Sequence, residues 1–261
     1  MGGINIGRVN WRVISLGGSL IFPQTTINTN FIVEFKKVIV RQVNLGKRFI
    51  IVCGGGNIAR AYQSAYKMIA SKVDNDIADL IGIKATKLNA QLVAGIFEDI
   101  ADKRVIDNPS KKITTSKSVV FAGGWKHGWS TDYVAILFAN NIGAQRIINM
   151  TNVDGVYDFG EDGESKTLFR RITWDDYTAM IPKKWTPGLS TPFDPVASKE
   201  AQRKGIDVAV IGQNLRNFEL CLDGEKFKGT TIVGNSPNLY PYVQNFKKRR
   251  LRRTEDTFLY E

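Results

Sequence analysis

The sequence has 261 residues, 43% of them hydrophobic, enough to bury the core of one large α/β domain or of two small lobes. No run approaches the ~18–20 apolar residues of a membrane span. No basic segment followed by an apolar one marks a secretory leader, so a cytoplasmic protein is expected. The formal net charge of +11 suits polyanionic ligands, but no basic–aromatic interleaving marks a nucleic-acid-binding sheet.

Trp11–Leu16 reads as a first buried strand running directly into Gly17-Gly18-Ser19. A helix is expected over residues 30–43, with Phe31, Phe35, Val38 and Ile39 on one face and Asn44 or Gly46 ending it. Residues 48–52 form a second strand, followed by Gly54-Gly55-Gly56. Asn57 is then expected to cap a helix that turns Ile58, Ala61, Tyr62, Ala65 and Met68 inward and carries Arg60 in its first turn. Residues 74–101 read as one long helix containing Asp79, and short strands follow at 104–106 and 118–121.

The stretch Gly123-Gly124-Trp125-Lys126-His127-Gly128-Trp129-Ser130-Thr131-Asp132 comes next, and Val134, Leu137 and Phe138 then recur at helical spacing. Glycines admit a ligand close to the backbone, and a helix start capped by Ser or Thr offers free amides to a phosphate. Asp132 would repel that phosphate unless a cation, lysine or Mg²⁺, lies between them. Residues 146–150 form another strand, ending in Thr151-Asn152-Val153-Asp154-Gly155. A loop spans 158–165, a short helix Trp174–Met180, and a second loop 182–192. Asp194-Pro195 opens a helix to Lys204; a strand at Asp207–Ile211, a helix at 215–222 and a closing strand at 229–233 complete the pattern. Cys53 and Cys221 sit in separate apolar contexts and read as buried thiols rather than a disulfide or metal pair.

Strands alternating with helices call for a mostly parallel sheet covered on both faces. Ligands of such a sheet sit beyond the carboxyl ends of its strands. Gly17-Gly18-Ser19, Gly54-Gly55-Gly56, Gly123-Gly124 and Thr151-Asn152 all fall there. Each is common as a turn, but together they outline a binding cleft.

With these motifs in order, the chain resembles the UMP kinases of the amino-acid-kinase superfamily, most closely the archaeal-type branch. The likeness runs from Trp11 to Val233 and includes residues 79–83, 151–157, 194–197 and 229–232. It implies a three-layer αβα sandwich in a single domain over 1–245, with an acceptor lobe at 11–145 and an ATP lobe at 146–233. Residues 246–261 remain as a basic tail; its run from Lys247 to Arg253 reads as solvated, with nucleic-acid binding the alternative.

The implied reaction moves the γ-phosphoryl group of ATP, with Mg²⁺, onto UMP. Gly17, Gly18, Ser19, Gly56 and Arg60 would hold the ATP phosphates, and Thr151, Asn152 and Tyr157 the nucleoside. Gly55, Asp79 and the stretch Gly124, Trp125, Lys126, His127, Gly128, Trp129 and Ser130 would hold UMP. Lys199, Asp132 and Arg60 would act at the transferring group, and no protein metal ligand is assigned. Homo-oligomers, commonly hexamers built from dimers, are implied by the resemblance alone.

Four of these positions depart from the family pattern. Ser15 stands where many superfamily members carry lysine, His127 replaces a proline, and Trp125 and Trp129 are bulky additions to the acceptor loop. These leave open another small phosphate or carboxylate acceptor, or a nucleotide-binding regulator without catalysis.

Overall fold

The computed structural model describes residues 11–159, 166–182 and 191–234. Its first half contains β1 (Trp11–Leu16), the single turn α1 (Gly18–Ile21), α2 (Thr29–Asn44), β2 (Arg48–Cys53), α3 (Gly56–Ile69) and α4 (Asn75–Gly95). These are followed by β3 (Ala101–Ile106), β4 (Val119–Ala122), α5 (Thr131–Ile142) and β5 (Arg146–Met150). The second half adds β6 (Tyr157–Phe159), β7 (Lys166–Leu168), β8 (Arg171–Thr173), α6 (Trp174–Met180) and α7 (Pro195–Lys204). It closes with β9 (Asp207–Ile211), α8 (Leu215–Asp223) and β10 (Thr230–Val233).

Eight strands form one sheet in the order β3-β4-β2-β1-β5-β9-β10-β8, parallel throughout except where β10 runs against β9. β6 and β7 make a separate antiparallel ribbon. Alternate residues of each strand feed opposite cores, as the two-residue period of a strand requires. Ile14, Leu16, Phe49, Ile51 and Phe121 pack with Phe35 of α2, Val93 of α4 and Phe218 of α8. Val13, Ile50, Val52, Ile147 and Val208 pack with Phe138 of α5, Trp174 of α6 and Ala201 of α7. Burial on both sides explains why these strands read as unbroken apolar runs. The expected three-layer α/β architecture is therefore the one observed.

The chain leaves β1 for β2 on one side and later returns to β5 on the other, so the direction of winding reverses at β1. That reversal opens a crevice beyond the carboxyl ends of β1, β2, β4 and β5.

Several local expectations are corrected. Asn57 does not cap α3: the N-cap is Gly55, while Asn57 donates to the Gln24 carbonyl and accepts from Arg60 Nε at 3.2 Å. The face of α3 expected inward is exposed, with Tyr62 and Met68 at 64% and 85%. The helix rests on α4 through Ala59 and Gln63 instead of on the sheet. α4 stops at Gly95 instead of running to 101, and β3 begins at Ala101 rather than 104. Its N-cap is Asp74, whose carboxylate accepts from the Asp76 and Ile77 amides. Cys53 and Cys221 are buried free thiols, and burial raises the pKa of both. Among the described residues, no helix is long and apolar enough to cross a membrane. The basic tail, residues 183–190 of the second loop and 160–165 of the first lie outside the described residues.

Candidate active site

The glycine turns after β1 and β2 are pressed against one another. The Gly54 amide donates to the Leu16 carbonyl at 2.8 Å, and the Gly17 amide to the Met150 carbonyl at 2.8 Å. Asn89 of α4 clamps the second turn, its amide donating to the Gly54 and Gly55 carbonyls at 2.8 and 3.0 Å. Gly56 has φ +64°, a backbone conformation that glycine adopts without steric cost. The Thr151 amide is held by the Ile211 carbonyl at 2.9 Å, fixing the turn after β5 beside β9.

These strand ends surround an open cleft. Gly17, Gly18, Ser19, Gly55, Gly56, Arg60, Asp79, Gly124, Trp129, Ser130, Asp132 and Thr151 all line it. The first residues of α3, α5 and α7, or their caps, reach the same space, so three helix N-termini bring partial positive charge to it. Arg60 is the one cation among the described residues lining the cleft.

The loop from Gly123 to Ser130 is pinned to α4 at two points. The Gly124 amide donates to Thr86 Oγ1 at 2.7 Å, and the Gly128 amide donates to Asp79 Oδ2. Asp79 is only 7% exposed; burial raises its pKa, opposed by the Gly128 amide and the charge of His127. Trp125 meets Trp129 edge-on and Trp129 meets Tyr133 at a tilt, with ring centroids 5.0 and 4.8 Å apart. The Lys126 ammonium lies 4.3 Å from the Trp125 ring centre. Ser130 caps α5, its hydroxyl accepting from the Tyr133 amide at 3.1 Å.

At the floor, Ser15 Oγ donates to Asp132 Oδ1 at 2.7 Å, and the Asp194 amide donates to Asp132 Oδ2 at 3.1 Å. Burial raises the Asp132 pKa, and those two donors oppose the rise. Asp194 caps α7 through the Ala197 amide at 2.6 Å, while its Oδ2 is buried without a hydrogen-bond partner. Burial pushes its pKa up to about 7, with the Ala197 amide opposing and the charge of Asp132 adding to the rise. Asp132 thus ties β1, α5 and α7 together.

Some expected site residues lie elsewhere. Lys199 is exposed on α7 and does not line the cleft, because the helix turns Ala197, Ser198 and Ala201 inward and Lys199 falls on another face. Asn152 is exposed, and Tyr157 pairs with Leu168 in the β6–β7 ribbon; neither reaches the cleft. Trp125, Lys126, His127 and Gly128 build the loop that carries Trp129 without lining the cleft themselves. Conversely, Gln63, Ile83, Thr86, Asn149, Thr191 and Asp194 line it and were not singled out as site residues by sequence. Asp194 alone carried a signal, as the helix-capping acid before Pro195.

A winding reversal, glycine turns converging on one cleft and three helix N-termini define a fold for binding phosphorylated ligands. Residues 10–212 match the model of the Amino acid kinase family, and the chain belongs to that family. Within it, the chain is similar to proteins named uridylate kinase. That of Methanocorpusculum labreanum is 33% identical over 236 residues, covering 88% of this chain and 98% of the relative. That of Methanoregula boonei is 34% identical over 251 residues, covering 92% and 97%. The solved uridylate kinase of Archaeoglobus fulgidus is similar with a TM-score of 0.72 at 30% identity, over 85% of this chain and all of that one. UMP kinase from Bacillus anthracis, at 20% identity and a TM-score of 0.67, shares the fold.

Proposed function

We propose that this protein is a UMP kinase that transfers the γ-phosphoryl group of ATP to UMP. The observation that carries this reading is the convergence of the Gly17–Ser19 and Gly54–Gly56 turns, Gly124 and Thr151 on one cleft. UMP takes the side built by residues 11–145, next to Asp79 and the acceptor loop. ATP takes the side toward residues 146–233, its phosphates over the amides of Gly18 and Ser19, since the Gly17 amide is taken by the Met150 carbonyl.

The chemistry asked of such a site is alignment and charge neutralisation, which fixed amides and cations provide without reorganising. The acceptor phosphate is already anionic, so no general base is required, and His127 is left to the loop. Ser15 holds Asp132 in place of a buried lysine, and Arg60 takes the cationic role once expected of Lys199. Mg²⁺ bound with ATP would offset negative charge on the phosphates. Among the described residues no set of three metal-ligating side chains exists, so Asp194, which lines the cleft, would offer that ion at most a single carboxylate.

A coupled ADP-release assay across nucleoside monophosphates should show UMP as the preferred acceptor. Arg60→Ala should lower kcat about 100-fold, the usual scale for losing one transition-state donor. No response to UMP, with turnover on another acceptor, would overturn the assignment.

We also place the protein in the cytoplasm as a homo-oligomer. Tyr62, Met68 and Ile69 of α3 and Leu80, Leu88 and Leu92 of α4 are exposed large apolar side chains on two helices that pack together. Sedimentation velocity should give a dimer or larger assembly, and Met68→Glu with Leu88→Glu should shift it toward monomer. A monomeric wild-type protein would refute this part.

A further inference from the structure

Asn57 does not cap α3, and its side chain is used in two other directions. Nδ2 donates to the Gln24 carbonyl, in the segment that leaves α1, and Oδ1 accepts from Arg60 Nε at 3.2 Å. The backbone amide of Asn57 joins the same clasp, donating to the Phe22 carbonyl at 3.0 Å. The two side-chain partners fix which way the carboxamide faces. Turned over, it would set its NH2 group against a guanidinium that only donates, and its oxygen against a carbonyl that only accepts.

Arg60 follows Asn57 by three residues, so the two share one face of α3 a turn apart. Arg60 is an exposed residue that reaches the cleft. A long exposed side chain left to itself samples many rotamers, and ordering it costs entropy. Among the described residues no carboxylate forms an ion pair with it, and Asn57 Oδ1 is its acceptor. A neutral acceptor orients the guanidinium without cancelling its charge. It also occupies only Nε, so the two terminal nitrogens are left to face an anion. The other arm of Asn57 holds the chain that continues from the Gly17–Ser19 turn, where the Phe22 amide donates back to the Gly18 carbonyl at 2.8 Å. One side chain thus links the cation of the cleft to the first glycine turn.

Resting on the UMP kinase reading, we infer that Asn57 is a positioning residue that sets the Arg60 guanidinium relative to the Gly18 and Ser19 amides. Cation and amides are then aligned before the phosphates arrive, which is where fixed geometry lowers a barrier. The contribution of Asn57 to turnover passes through Arg60, and in the absence of Arg60 it has nothing to orient.

The test is a double-mutant cycle on kcat for UMP phosphorylation, with KM for ATP and for UMP measured alongside, in wild type, Asn57→Ala, Arg60→Ala and the double variant. Asn57→Ala should lower kcat roughly tenfold with both KM values within about twofold of wild type, because a misdirected group costs rate more than binding. The double variant should be no slower than Arg60→Ala alone. Independent losses, about tenfold on top of those of Arg60→Ala, would assign Asn57 to holding the chain after α1 and overturn the inference. An unchanged kcat in Asn57→Ala would overturn it as well. Asn57→Ser, which keeps a polar group on the first turn of α3 but gives up both arms of the amide, serves for the same cycle if Asn57→Ala does not fold. A wild-type enzyme that ignores UMP would overturn the kinase reading itself, whereas additive losses in an enzyme that phosphorylates UMP would remove only the role of Asn57.

Discussion

Gly18→Ala is expected to cost more than about 4 kcal/mol and to abolish ATP binding, an effect in the extreme tail for single substitutions. A Cβ at this position would lie 2.0 Å from the Gly56 nitrogen and 2.5 Å from the Gly54 carbonyl carbon. Both are backbone atoms of the neighbouring turn, so no rotamer change relieves the collision. The chain would have to separate the turns after β1 and β2, and that separation would displace the amides that face the phosphates. Gly143→Ala provides the contrast. Gly143 also has positive φ, +69°, but nothing lies within 4 Å of an added Cβ. Only the left-handed backbone penalty applies there, about 1–2 kcal/mol. Urea denaturation midpoints, with calorimetry for ATP, would compare the two variants. A wild-type midpoint for Gly18→Ala would mean that the two turns are not packed as described.

The second large effect depends on pH. Burial lifts Asp194 from the ordinary value of 3.8 to about 7, so the folded protein keeps a proton on it that the unfolded chain has released. Folded-state stability from this group is therefore fully present below about pH 4 and is lost as pH rises toward 7. A lift of roughly three pH units corresponds to a penalty of up to ~4 kcal/mol once the group is ionised. Asp194→Asn keeps the Oδ1 acceptor that caps α7 and removes the charge beside Asp132. The variant should match wild type near pH 4 and exceed it progressively up to about pH 7, with a constant margin above. Denaturant unfolding of both proteins at several pH values measures the difference. A variant less stable than wild type at pH 8 would show that the carboxylate is stabilised there by a partner.

Much of the frame was legible because the central strands are buried on both faces. Arg48–Cys53 and Asp207–Ile211 had to be continuous apolar runs, and their ends were marked by glycines or polar turns. Helix starts with a side-chain signal, Ser130 before α5 and Asp194-Pro195 before α7, were equally readable. α3 was not, since its apolar residues satisfied a helical period while the sheet was already covered by its neighbours. Periodicity gives the existence of an apolar face and is silent on what, if anything, covers it. Lys199, assigned by resemblance, lies on an exposed face of α7 outside the cleft, since a position along a helix does not fix which of its sides reaches a site.

The sequence by itself determined the alternation of strands and helices and the glycine turns at the strand ends, because backbone freedom and burial are written residue by residue; the kinase-like fold was implied by resemblance. Only the tertiary structure decided which turns meet, that Ser15 and the Asp194 amide hold Asp132, and that Asp79 is shared between the cleft and the acceptor loop. Those contacts join residues from 15 to 194 across separate elements, and no local pattern encodes a distance between segments that meet only when the sheet has formed.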